Sequence, residues 1–145
     1  MREITEHAYA KLNLSLDVTG RREDGYHDLV MLMQTVSLCD TLTIRFREDE
    51  KVCASSNLRF IPGDERNLAV RAALRYLEAV GEAGTGLQID IRKEIPVGAG
   101  MAGGSADAAA VLRGLNRLYD ERMSRAELDH FPVGHVLLHH RLRGL

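Results

Sequence analysis

The chain has 145 residues, 45% of them hydrophobic and 28% charged, with a formal net charge of −2; that is the size of one domain with a real core. Its 19 basic residues are offset by 21 acidic ones with no long run of either sign, which argues against a nucleic-acid surface. No apolar run approaches the ~18 residues that cross a bilayer, and MREITEHAYAK has no signal-peptide pattern, so the expected compartment is the cytoplasm, with no membrane partner.

From Ala8 to Val18 apolar residues alternate with polar ones, the pattern of a half-buried strand; Lys11 and Asn13 then share its polar face. TGRREDGYH (19–27) is polar, carries two glycines and reads as a loop. DLVMLMQTVSL (28–38) is apolar enough for a more buried strand. Leu42, Ile44 and Phe46 alternate in another, and Val52–Ile61 adds one or two short ones. Cys39 and Cys53 lack C-x-x-C spacing and read as reduced core thiols.

The period then changes. Val70, Ala73, Leu74 and Leu77 form a helical stripe that ends at GEAGTG (81–86). Leu87, Ile89 and Ile91 alternate as a strand closed by Pro96. Ala108, Val111, Leu112, Leu115 and Leu118 mark a second amphipathic helix, expected from Ser105 to about Tyr119. Strands first, then helix, strand, loop and helix, predict an α+β sandwich of sheet and helices.

PVGAGMAGGSADAAA (96–110) places four glycines within seven residues between that strand and that helix. Free N–H groups and the positive end of the helix dipole suit an anion there, and glycines let phosphates come close. Ser105 is placed to cap the helix, and its hydroxyl is within reach of a phosphate or a Mg²⁺ shell. A Walker A loop needs Lys before Ser/Thr, but Gly104 precedes Ser105. Gly98, Gly100 and Gly103 satisfy G-x-G-x-x-G, yet no second buried strand ending in an acid follows. The protein-kinase loop needs a following Val, where Gly104-Ser105 stands. Phosphate binding is the preferred reading, and a plain strand–helix connection is its rival.

The loop resembles the phosphate loop of the GHMP small-molecule kinases, P-x-x-x-G-[LM]-[AG]-G-[GS]-S-x-D-A-A. AKLNLSLDVTGRREDGYHDL (10–29) and ERNLAVRAA (65–73) resemble two further signatures of the branch that phosphorylates a cytidine-diphosphate methylerythritol. Together these stretches span most of residues 8 to 120. The resemblance implies the N-terminal domain of that family (residues 1–128), a sheet-and-helix sandwich of the ribosomal protein S5 domain 2 type. It also implies ATP-dependent transfer to a 2-hydroxyl, with ATP and Mg²⁺ as cofactors and a small cytidine-diphosphate substrate as partner.

By the same resemblance Lys11 sits near the acceptor hydroxyl and assists its deprotonation. Asn13, Tyr26 and His27 hold the cytidine end, and Asn67 lines the adenosine side or simply starts a helix. Pro96, Val97, Gly98, Ala99, Gly100, Met101, Ala102, Gly103, Gly104, Ser105 and Ala106 cradle the triphosphate. Asp107 serves the metal, the loop geometry or the helix dipole.

Residues 124–145 read SRAELDHFPVGHVLLHHRLRGL, which holds no G-x-D-V-P-F stretch, and the family's second domain is expected to be missing. Asp129 has no context that makes it the missing acid. Residues 129–145 form an atypical, His- and Arg-rich tail, expected to be the product of a shifted reading frame. His135 and His139 lie four apart without a third ligand at matching spacing. Without a second domain, Leu115 and Leu118 are expected to lose partners and expose apolar surface.

Overall fold

The computed structural model describes residues 2–133 together with the backbone of 136–137. Its elements are β1 (Glu3–Arg21), β2 (His27–Phe46), β3 (Val52–Ser56), α1 (Leu68–Ala79), β4 (Leu87–Arg92), α2 (Gly103–Leu118), α3 (Arg125–Asp129), β5 (Pro132–Val133) and β6 (Val136–Leu137). The first four strands form one sheet in the order β1-β2-β4-β3. β1–β2 and β2–β4 are antiparallel and β3–β4 parallel. The parallel pair requires a crossover, and α1 supplies it.

Alternation in β2 and β4 turns Leu42, Ile44, Leu87, Ile89 and Ile91 inward, where they meet Ala72, Ala73, Tyr76 and Leu77 of α1 and Val111, Leu112 and Leu115 of α2. The opposite sheet face is polar: Asp90 accepts from Arg45, Gln88 (2.9 Å) and Ser55 (2.5 Å). Gly114 lets α2 lie directly on the sheet, since a Cβ there would stand 2.8 Å from Ile44 Cδ1. Between the helices, the buried Tyr76 hydroxyl donates to Asn116 Oδ1 at 3.0 Å, and burial pushes that phenol up to about 12.

Several expectations change. Asp28–Leu38 is not a buried strand of its own; it is the outer half of β2, paired with the outer half of β1 and almost wholly exposed. Leu12, Leu14, Leu16 and Val18 are exposed with it, and the presumed loop 19–27 shrinks to a turn between Arg21 and His27. Alternation shows that a strand has an apolar face, not that another layer reaches far enough to cover it. Here the helices cover the sheet only up to Ala8, Ala10 and Asp40.

Leu115 and Leu118 keep their partners and are 0% and 6% exposed, because they face the sheet and α1. The apolar surface lies on the hairpin instead. All but Phe60 and Val97 of the exposed large hydrophobic side chains among the described residues are there. Cys39 and Cys53 are free but half-buried, with Cys53 Sγ 3.1 Å from Gln88 Oε1 at the sheet's polar face.

At the end of the described chain, Val133 is buried and Phe131 packs on the core. His135, His139 and the rest of the expected off-frame tail lie outside the described residues.

Candidate nucleotide site

The glycine segment leaves β4 through buried Ile95 and enters α2 at Gly103. Its backbone turns left-handed at Gly98 (φ 74°), Gly100 (φ 73°) and Ala102 (φ 58°). The first two positions explain the glycines, since other residues strain there. Ala102 accepts the strain and is itself the N-cap, with no side-chain cap bond. Ser105 is therefore not the cap as expected; it lies in the helix's first turn, one residue row too late to close the end. The first N–H groups of α2 are left without intrahelical acceptors, as at any helix start.

The segment forms one wall of a cleft of about 430 Å³, within the range of small-ligand sites. Pro96, Val97, Gly98, Ala99, Gly100, Met101, Ala102, Gly103, Gly104 and Ser105 all border it; Ala106 is buried behind them. The facing wall is Ile61, Pro62, Arg66, Asn67 and Leu68 at the start of α1. Asn67 does both things expected of it. Its Oδ1 accepts from Ala69 N–H at 3.0 Å as the N-cap of α1, and it borders the cleft. Arg66 is already paired with Asp64 at 2.9 Å.

Lys11 is tied to the segment through the backbone, its N–H lying 3.4 Å from the Met101 carbonyl. Its ammonium lies 3.3 Å from Met33 Sδ, across the hairpin. Asn13, opposite Met33 in register, is on the same face and exposed. Tyr26 and His27 are elsewhere. They sit at the hairpin tip, where Arg21 pairs with His27, and Tyr26 is 72% exposed. At ~3.3 Å per residue along a strand, that is roughly 30 Å from Lys11. The structure thus brings Asn67 and residues 96–105 together around the cleft, sets the Lys11 backbone against Met101, and leaves Tyr26 and His27 apart.

Sequence reading missed what lies beneath the loop. Lys93 is buried, and its ammonium bonds Asp40 and, at 2.8 Å, Asp107 Oδ2. Asp40 also accepts from Glu94 N–H (2.6 Å) and Ile95 N–H (2.8 Å). Burial alone would raise the Asp40 carboxyl, but Lys93 and those two N–H groups hold it below the usual range. Burial prevails at Asp107, pushing it up to about 7 against the pull of Lys93. At Lys93 burial acts downward and the two carboxylates outweigh it, so the ammonium is held charged. Asp107 borders the cleft, and its Oδ1 is buried without a partner among the described residues.

A signal for this triad was present. Lys93 continues the inward parity of Leu87, Ile89 and Ile91; Asp40 shares that of Leu42 and Ile44; Asp107 stands one helical turn before Val111. A charge at a core position needs a partner.

A second hollow, of about 460 Å³, lies on the outer side of α1 between Arg75, Glu78 and Phe131. It has neither the loop nor the buried charges.

With this geometry in hand, comparison with known proteins is decisive. The model of the GHMP kinases N terminal domain matches residues 67–139, half of the chain. The chain belongs to the GHMP kinase family. Over 125 residues it is 52% identical to the 4-diphosphocytidyl-2-C-methyl-D-erythritol kinase of Bacillus licheniformis, covering 86% of this chain and 43% of that protein. To the enzyme of the same name from Bacillus velezensis it is 50% identical, with the same coverage. A crystal structure of 4-(cytidine 5'-diphospho)-2C-methyl-D-erythritol kinase superposes with a TM-score of 0.71 at 41% identity, over 86% of this chain and 44% of the other. This GHMP chain thus spans less than half the length of the relatives it matches. As in those kinases, the fold is a mixed sheet backed by helices.

Proposed function

We propose that the cleft binds ATP through its phosphates and serves phosphorylation of the 2-hydroxyl of 4-diphosphocytidyl-2-C-methyl-D-erythritol, a step toward isoprenoid precursors by the non-mevalonate route. The observation that carries this reading is the glycine segment. It lines the cleft and opens α2, with the Lys11 backbone tied to it, in a chain about half identical to kinases of that name.

Phosphoryl transfer asks mainly for positioning and charge neutralisation. The loop N–H groups and the helix dipole hold the phosphates. Lys11 steadies charge on the acceptor oxygen as the new P–O bond forms, the bond to the ADP oxygen breaks and the hydroxyl proton passes to water. Mg²⁺ arriving with ATP would neutralise phosphate charge. The Ser105 hydroxyl and the unpartnered Asp107 oxygen are donors of the hard kind such a cation takes. Asn13 belongs to the cytidine end in this reading; Tyr26 and His27, expected there too, stand away from Lys11 at the hairpin tip.

Binding is the part to test on this chain, because the matched segment is 43% of the relative's length. Calorimetric titration with Mg-ATP, joined to amide exchange, is expected to show saturable binding and slowed exchange across 96–106. Unchanged exchange there at saturating ATP sinks the loop assignment. A second reading, nucleotide binding without turnover, draws on the same coverage; binding that does not respond to the cytidine substrate favours it.

A further inference from the structure

Lys93 reaches from the end of β4 to the underside of α2, 8% exposed, between carboxylates of two other elements. A Cβ on Gly103 would stand 3.2 Å from its ammonium, so the end of the glycine segment rests against that charge. Burying an ammonium between two carboxyl groups is costly, and well-packed apolar side chains often serve stability as well. What apolar side chains would not supply is direction. Asp40 takes the N–H groups of Glu94 and Ile95, where the segment leaves β4. Asp107 lies in α2, where the segment ends. One ammonium joins the two, so both ends of the segment are pinned to one point at the end of the sheet's two central strands.

We propose that Lys93 is a positioning residue of the glycine loop: by clamping Asp40 to Asp107 it fixes where the loop N–H groups stand, and so how tightly they hold a polyphosphate. The affinity half of this statement rests on the nucleotide reading above; the geometric half does not.

The test compares the full chain with its Asp107→Asn and Lys93→Met variants. Amide exchange without ligand is followed at 98–106, with Leu87–Ile91 and α1 as references, beside calorimetric titration with Mg-ATP. Asparagine keeps the shape of Asp107 and still accepts from Lys93, but without the charge that holds the clamp. The expected result for Asp107→Asn is exchange about tenfold faster at 98–106, references within about twofold, and ATP affinity about tenfold weaker. Lys93→Met should enlarge the same changes at the same residues; should it fail to fold, Asp107→Asn decides. Loop exchange within about twofold of wild type in Asp107→Asn overturns the proposal, and so does acceleration shared equally by β4 and α1. A wild-type chain that ignores ATP, with loop exchange still faster in the variant, defeats the nucleotide reading and leaves the clamp standing. Unchanged ATP affinity in Asp107→Asn, with the wild type binding, removes the link to the ligand.

Discussion

The backbone N–H of Lys11 meets the Met101 carbonyl at 3.4 Å, so the strand that carries the lysine and the loop that borders the cleft touch directly. The contact lies where the pairing of β1 with β2 is irregular, its register shifting between Tyr9 and Lys11. Lys11→Met should leave this backbone contact and the melting temperature nearly unchanged, because among the described residues the ammonium's one polar side-chain contact is Met33 Sδ. In a kinase assay with the second half of the relative supplied, turnover is expected to fall by about 10²-fold or more. Turnover equal to wild type would remove Lys11 from the chemistry.

Ala102 holds a left-handed conformation, φ 58°, that costs a non-glycine residue roughly 1–2 kcal/mol. Ala102→Gly should therefore stabilise the chain by about 1 kcal/mol, raising the melting temperature by about 3–6 °C in calorimetry. A lower melting temperature would show that the alanine methyl makes up for its backbone strain.

Gly114→Ala sets two effects against each other. Alanine gains about 1 kcal/mol as a helix former. Its methyl, however, would stand 2.8 Å from Ile44 Cδ1 and 3.2 Å from Glu6 Cγ, which costs about 1–3 kcal/mol in a close-packed layer. The expected net is a loss of about 1 kcal/mol in chemical denaturation; a gain would mean that Ile44 turns aside freely.

Much of this fold was legible because its signals are local. Alternation in Leu87–Ile91 and the 3.6-residue stripe of Ala108–Leu118 need only neighbours along the chain. The glycine segment was legible too, because a helix start and missing Cβ atoms carry a meaning wherever they occur. The Asp40–Lys93–Asp107 clamp was legible only one residue at a time, as charges at core positions. Its members are far apart in sequence and meet only once β2, β4 and α2 are packed. The burial of 28–38 was misread for the converse reason: an apolar run reports its own composition, and exposure depends on where the helices end.

Tyr76→Phe tests the joint between the two helices. The change removes one buried hydrogen bond, yet Asn116 Oδ1 keeps the N–H of Met123 at 2.9 Å, so no acceptor is stranded. The expected cost in denaturant unfolding is about 0.5–1.5 kcal/mol. A loss above about 3 kcal/mol would show that the hydroxyl organises more of the α1–α2 contact than this bond.

The long hairpin separates chain continuity from fold. Between Glu3 and Tyr9, β1 is locked to Arg45–Cys39 inside the packed layers, while the covalent link between the strands lies far out at Arg22–Tyr26. A tryptic cut after Arg21 or Arg22, both exposed, would sever the backbone without removing anything from the core. The two pieces would stay associated through the inner register. The tip is thus a place where termini can be opened, a tag inserted or the chain permuted while the glycine segment keeps its setting.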